Sequence, residues 1–253
     1  MKLAAIYSVF NGLELLEGSI KQIESLTDEI IIVYQTMSNT GNVSAKVEPF
    51  LYGLNEKFHL VKFIPDLNVS TKENERVKHQ IGIDYAKKLD CTHFFFSATD
   101  HYYLPYQFAT YKKICETLNC DLTFTSMLTF YKHPTWQLTP IEDYYMPFIC
   151  KLFPHTKIIK TSSYPAKVDP SLKINSYTTW KIFEQDEIMM FHFSMIRKDI
   201  RNKFNNAAAS IRWKPGDIER FVSEYENYNI ETNPGISYFG GRKIKIVENT
   251  FSL

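Results

Sequence analysis

The feature that most constrains this chain is an alternation: a short apolar run, then a stretch whose apolar residues fall at helical spacing. KLAAIYSV at 2–9 and EIIIVY at 29–34 are short and apolar, the second rich in β-branched residues, as in buried strands. Between them Leu13, Leu16, Ile20 and Ile23 recur three and four residues apart, predicting an amphipathic helix over Leu13–Leu26. The same reading predicts a helix over Val43–Lys57, a strand over Phe58–Ile64 and a loop over 65–72. A helix over Glu73–Leu89 and the strand THFFFSA at 92–98 follow. Strands alternating with helices imply βαβ units and a mostly parallel sheet. Ligands of such sheets collect beyond the strands' carboxyl ends. Three polar segments fall there: Ser8–Gly12, Gln35–Asn42 and Thr99–Tyr103.

Beyond Pro105 the pattern changes. A helix near 106–118 leads into DLTFTSMLTFYKHPTWQL, read as strands of a mixed or antiparallel extension, and 156–191 into more short strands and turns. Helices are expected near 196–206 and 216–228, with a peripheral strand or tail to the end. No repeat or low-complexity linker divides the 253 residues, which suffice for one large α/β domain with a small appendage.

The net charge of +1 offers no broad field for nonspecific duplex binding. Cys91, Cys115, Cys120 and Cys150 lack paired or zinc-like spacing and read as buried free thiols. The opening residues lack the apolar core of a signal peptide, and no run reaches the ~18 apolar residues of a membrane span. A cytoplasmic location is therefore expected. Tyr102, Tyr103 and Tyr106 are either core residues or platforms for sugar rings. A GxxxxGK[ST] loop, a G-x-G-x-x-G turn and a nucleophile elbow are all missing, which argues against P-loop, dinucleotide-binding and α/β-hydrolase chemistry.

Two segments could carry chemistry. In FFFSATDHYYLP an apolar strand delivers Asp100 and His101 into a polar turn. An acid there either caps the turn or holds a divalent cation of the kind a diphosphate leaving group needs. In MMFHFSMIRKDIRNKFNN, His192 lies on an apolar strand before Arg197, Lys198, Arg201 and Lys203. It is a core histidine or a metal ligand, and the basic run is a solvated face or a phosphate-facing edge.

In order, AIYSVFNGLELLEGSIKQI…DEIIIVYQTMSNTGN, KHQIGIDYAKKLDCTHFFFSATDHYYLP, the VDP at Val168–Pro170 and FHFSMIRKDIRNKF resemble family 2-type bacterial and phage glycosyltransferases. The resemblance runs over about residues 2–206 and is strongest in the first 105. It implies a GT-A fold: a nucleotide-diphospho-sugar transferase with a Rossmann-like mixed sheet flanked by helices. The catalytic domain would span 1–206, with a nucleotide-binding half to about 105 and an acceptor half over 106–206. Residues 207–253 would form a helical, peripheral extension.

The implied activity moves a hexosyl or pentosyl group from a nucleotide-diphosphate donor to a hydroxyl on a saccharide or lipid-linked glycan, with Mn²⁺ or Mg²⁺ on the diphosphate. Ser8 and Val9 would contact base and ribose through backbone, beside Gln35, Lys78 and His79. Asp100 matches the last acid of Asp-x-Asp and His192 the later metal-binding histidine. The motif reads Ala98-Thr99-Asp100, so its first acid is lost, and Gln35 replaces the usual acid after the second strand.

An inverting transferase also needs a carboxylate base. Glu142 and Asp143 are the candidates, Asp143 favoured, although acids there also suit a helix start after Pro140. Asp169 is an acceptor contact or part of a turn with Pro170. Trp136 and Met146–Phe148 are pocket walls or core. Two alternatives remain: a phage-type transferase acting on a hydroxymethylated DNA base along Lys157, Lys160, Lys167, Lys173 and Lys181, or a silent sugar-nucleotide-binding module.

Overall fold

The computed structural model describes residues 1–54 and 56–253, and only the backbone of Ile211 and Arg212. β1 (Leu3–Val9), β2 (Glu29–Tyr34), β3 (His59–Lys62) and β4 (His93–Ala98) lie parallel in the order β3-β2-β1-β4. β8 (Tyr145–Lys151) then runs antiparallel to both β4 and β6 (Leu122–Tyr131). β7 (Trp136–Thr139) and β11 (Lys243–Ile246) continue the sheet antiparallel beyond β6. Three short or offset strands attach to this frame: β5 (His101–Tyr102), β9 (Trp180–Ile182) and β10 (Met189–Met195). The alternation is borne out by the parallel half, β3-β2-β1-β4, and the whole is the mixed α/β sheet flanked by helices that the resemblance implied.

Strand pleating distributes the core to both faces. Ile6 and Phe96 face α3 (Thr71–Lys88), where Gly82 packs so close that an added Cβ would lie 2.2 Å from Ile6 Cγ2. Tyr7 and Phe95 face the other way. Tyr7 meets Ser19 of α1 (Leu13–Ile23) at 3.1 Å, and Phe95 meets Phe108 of α4 (Pro105–Thr117) at 5.2 Å between ring centroids. Tyr103 and Phe148 complete that aromatic cluster.

The largest departures from the expected elements have local causes. The helix expected over Val43–Lys57 is only α2 (Val47–Tyr52), with Asn55 outside the described residues. Pro49 is tolerated only in a first helical turn, which fixes the start near Val47, and Gly53 follows the end. α3 begins two residues early because Ser70 caps it, its side chain accepting from the Glu73 amide at 3.2 Å. Over 156–191 most of the expected short strands are loop, with β9, the start of β10 at Met189, the 3-10 turn Pro170–Leu172 and an isolated bridge between Ile158 and Ile174. Side chains hold that loop instead: Thr156 meets Ser176 at 2.7 Å, and Asp121 accepts from the Thr178 and Thr179 amides at 2.8 and 3.2 Å.

A second, smaller core joins Tyr131, Leu138 and Met195 to α5 (Ile200–Asn205), α6 (Asp217–Glu226) and β11 through Phe204, Phe221, Tyr225 and Ile244. Residues from 207–253 therefore pack against Tyr131 of β6, Leu138 of β7 and Met195 of β10, with β11 paired along the edge of β7. Among the described residues no helix is long and apolar enough to cross a membrane. Cys91, Cys115 and Cys150 are buried free thiols, and Cys120 is half-buried.

Candidate functional site

The parallel registers pair Ser8 with Ala98, so the chain leaves β1 and β4 at the same height. A cleft of about 660 Å³ opens at those carboxyl ends. Ser8, Lys78, His79, Asp100, Glu142 and His192 all line it. Residues far apart in sequence thus meet where open α/β sheets place ligands.

Its most distinctive group is Asp100, His101 and His192, whose ligand atoms all lie within 4.8 Å of one another. Strand pairing builds it: β5 and β10 run antiparallel with His101 opposite His192, and the Phe193 amide donates to the Asp100 carbonyl at 2.8 Å. The two imidazoles meet edge to face at 5.3 Å, and the Nδ1 atom of each is buried without a hydrogen-bond partner among the described residues. Orphaned buried nitrogens are costly, and two imidazoles beside a carboxylate make up a donor set suited to a divalent metal. The residues present therefore fit a cation. In the sequence His101 is only a neighbour of Asp100, and its cross-strand position opposite His192 has no sequence signature.

Asp100 is shared between two neighbourhoods. Its Oδ1 lies 3.8 Å from His101 Nε2, while Oδ2 accepts from Arg197 Nη2 and lies 3.8 Å from Lys203 Nζ. Burial alone would raise the Asp100 carboxyl, but Arg197, then Lys203, hold it well below the usual carboxylate range. Burial lowers the His192 imidazole to about 3 and the Lys203 ammonium to about 8, in both cases against the pull of Asp100. His192 is thus a neutral imidazole, the form that ligates metals.

The donor-side candidates meet in part. Gln35 is buried, and its Oε1 accepts from Lys78 Nζ at 3.1 Å, so the residue replacing the expected acid holds a lysine in place. Burial lowers the Lys78 ammonium. Ser8 Oγ is buried without a partner among the described residues. Val9 is fully buried, away from the cleft lining, and its carbonyl accepts from the Gln35 amide at 3.1 Å.

His79 donates from Nδ1 to the Ser171 carbonyl at 3.0 Å, and burial, then Lys78, lower it to about 4. The unfolded chain takes up this proton near pH 6.5, so between about 6.5 and 4 the unfolded state binds more protons. Stability present above about pH 6.5 is therefore lost as pH falls toward 4, with a slope of at most about 1.4 kcal/mol per pH unit from this group. His79→Gln is expected to flatten that part of a urea-midpoint-against-pH curve. An unchanged slope would show that His79 is not a source of acid lability.

The two acids after Pro140 part company. Glu142 lines the cleft and accepts from Thr129 Oγ1, and Thr129 stands opposite His192 across β6 and β10. Asp143, the favoured one from sequence, lies outside the cleft lining with a largely exposed side chain, paired to Lys167 at 2.6 Å. The two lie in the loop before β8, where a bend at Asp143 separates the neighbouring side chains.

Other candidates resolve similarly. Asp169 caps the 3-10 turn Pro170–Leu172, accepting from the Ser171 amide at 2.8 Å, and pairs with Lys72 at 2.7 Å at the cleft edge. Tyr102 and Tyr103 are buried in aromatic clusters and offer no sugar platform, whereas Tyr106 is exposed on α4. Met146 reaches the cleft, Phe148 is core, and Trp136 packs against the C-terminal cluster. Tyr238 and Phe239, which sequence reasoning passes over as part of a tail, close one side of the cleft.

No known family model matches the chain. No curated protein matches it either. Among solved structures, S. aureus TarS 1–349 in complex with UDP-GlcNAc is similar over 90% of this chain and 72% of its own, at 10% identity and a TM-score of 0.45. Glucosyl-3-phosphoglycerate synthase from Mycobacterium tuberculosis with Mn²⁺, UDP and phosphoglyceric acid is similar over 53% of this chain and 45% of its own, at 12% and 0.34. Mannose-1-phosphate geranyltransferase from Thermus thermophilus is similar over 58% of this chain, at 11% and 0.36, and this chain spans 50% of its length. At such identities and scores the likeness places the chain in no family and assigns it no ligand.

Proposed function

We propose that this chain is a cation-assisted glycosyltransferase of GT-A type, moving a sugar from a nucleotide-diphosphate donor to a hydroxyl of a saccharide or lipid-linked glycan. The observation that carries the reading is the Asp100–His101–His192 group in the cleft at the carboxyl ends of β1 and β4. It stands where the family-2-like sequence order expects the donor diphosphate. Asp100 Oδ1, His101 and His192 would hold the cation, which when bound neutralises charge building on the diphosphate leaving group. Two imidazoles with one carboxylate favour Mn²⁺ over Mg²⁺, which prefers oxygen ligands.

The chain's own groups supply the rest. Lys78, held by Gln35, and Lys203 place positive charge on the cleft wall for the phosphates. Ser8 lies at the strand end for the nucleoside. Glu142 takes the proton of the acceptor hydroxyl as its oxygen bonds to the anomeric carbon and the bond to the diphosphate oxygen breaks. Single displacement of this kind inverts the anomeric centre. Tyr144, Tyr238 and Phe239 offer apolar rings to the acceptor side.

The lysines of the DNA-base alternative are largely engaged elsewhere: Lys160, Lys167 and Lys181 face acids, and Lys173 donates to the Thr161 carbonyl. The silent-module alternative draws on Ala98, where the first acid of the motif is missing.

Thermal unfolding with UDP, GDP, CDP or TDP, each with and without Mn²⁺, tests the reading. A nucleotide at 100 times its Kd is expected to add about 2.7 kcal/mol, roughly 5–10 °C, only when Mn²⁺ is present. No response to any nucleotide would overturn the donor site. Stabilisation without release of nucleotide from any sugar donor and acceptor would favour the silent module.

A further inference from the structure

A second pocket, about 230 Å³, lies where the start of α1 meets the segment before α2 and the start of α5. Lys46, Arg197, Lys198 and Lys203 line it, with Glu14 and Asp199 as the acids. Both acids have work inside the fold: Asp199 caps α5, accepting from the Asn202 amide at 2.8 Å, and Glu14 accepts from the Lys198 amide at 3.3 Å. The charge facing the pocket is therefore positive.

Two independent features point to an anion. The first is the N-terminus of α1, an 11-residue helix entered through Gly12 at φ 72° with no side-chain cap. The first-turn amides of Leu13 and Glu14 have no acceptor within the helix, and the helix dipole adds positive potential there. Gly12 cannot be replaced cheaply, since an added Cβ would lie 2.7 Å from Arg197 Nη1 in addition to the strained φ. The second is Arg197 itself. Its side chain is only 3% exposed, Nη2 is spent on Asp100, and Nε and Nη1 are buried with no partner among the described residues. A buried guanidinium with two orphaned donors against an uncapped helix start lacks an acceptor that the fold does not supply.

We propose that this pocket binds a phosphate-type oxyanion, held by the α1 amides and Arg197, with Lys46 at its mouth. The geometry suits a tetrahedral anion, because guanidinium forks and helix N-termini both recognise phosphate oxygens. Arg197 divides this pocket from the cleft, since it bonds Asp100 on one side and faces the α1 start on the other. The inference rests on this pocket alone and stands whether or not the chain transfers sugars.

The test is titration of the full chain with inorganic phosphate at constant ionic strength, without metal or nucleotide, followed by ³¹P line width and thermal unfolding. Phosphate is expected to bind and raise the unfolding temperature where matched chloride does not. Arg197→Gln is expected to weaken binding about tenfold or more, the size of a lost charge-assisted hydrogen bond. Because Arg197 also supports Asp100, Lys46→Glu serves as a second variant. Lys46 is exposed, so circular dichroism should stay unchanged while phosphate affinity falls about tenfold. His192→Ala, which alters only the cleft, should leave phosphate affinity intact.

Competition by UDP identifies the source of the phosphate: displacement assigns it to a nucleotide, and independent binding assigns it to free phosphate or another phosphorylated compound. No phosphate binding to the wild type, equal binding to Lys46→Glu, or loss in His192→Ala would overturn the proposal. Phosphate binding with no response to any nucleotide and Mn²⁺ would defeat the transferase reading alone.

Discussion

Asp100→Ala is expected to remove the Mn²⁺-dependent response to nucleotide and to cost the metal-free fold about 3–5 kcal/mol, the usual consequence of leaving a buried ion without its partner. The reason is local. Arg197 is 3% exposed and Asp100 6% by side chain, and among the described residues the carboxylate is the one hydrogen-bond acceptor for the guanidinium. Lys203, 3.8 Å from the same oxygen, would then add like charge with nothing between. Urea denaturation in chelator reads the stability, and thermal shift with Mn²⁺ and nucleotide reads the site. The double variant Asp100→Asn with Arg197→Met is expected to recover part of the loss, as both charges then leave together. A double variant less stable than Asp100→Ala would show that the ion pair is not the source of the cost. A retained Mn²⁺ response in Asp100→Ala would remove Asp100 from the cation site.

Glu142→Gln is expected to lower turnover about 10²–10⁴-fold, the range for a lost general base, while the Mn²⁺-dependent nucleotide shift stays as in wild type. The glutamine keeps the shape and can still bond Thr129 through its carbonyl, so loss by misfolding is not expected. Asp143→Asn, at an exposed ion pair with Lys167, is expected to leave turnover close to wild type. The reverse ranking of the two variants would return the base to Asp143. An unchanged rate in both would place the proton acceptor elsewhere in the cleft.

How much of this is legible in the sequence differs between elements. The strands at Leu3–Val9, Glu29–Tyr34 and His93–Ala98 appear within a residue or two of where hydrophobic runs place them, because each is buried on both faces and leaves a continuous apolar signature. Asp100 and His192 stand out as polar groups at the end of, or within, such a run, but the run alone leaves a turn cap and a core histidine equally open, and only their meeting across β5 and β10 separates the readings. The loop over 156–191 departs from expectation because its order comes from side-chain bonds such as Thr156 to Ser176, which obey no period.

Sequence alone thus determined the alternation of strand and helix, the change of pattern beyond Pro105 to a mixed or antiparallel extension, and the delivery of Asp100 to a strand end. Those features are local, fixed by apolar spacing and by what each segment must bury. Only the tertiary structure decided that His101 stands across from His192, that Glu142 rather than Asp143 turns into the cleft, and that Arg197 is shared between Asp100 and the start of α1. It also brought Tyr238 and Phe239 from the C-terminal segment to the cleft wall. Each of these depends on strand register or on contacts between segments distant in the chain, and shifting a register by one residue exchanges the faces of every side chain. Such choices are set by the packing of the whole sheet and leave no mark on the residues nearby.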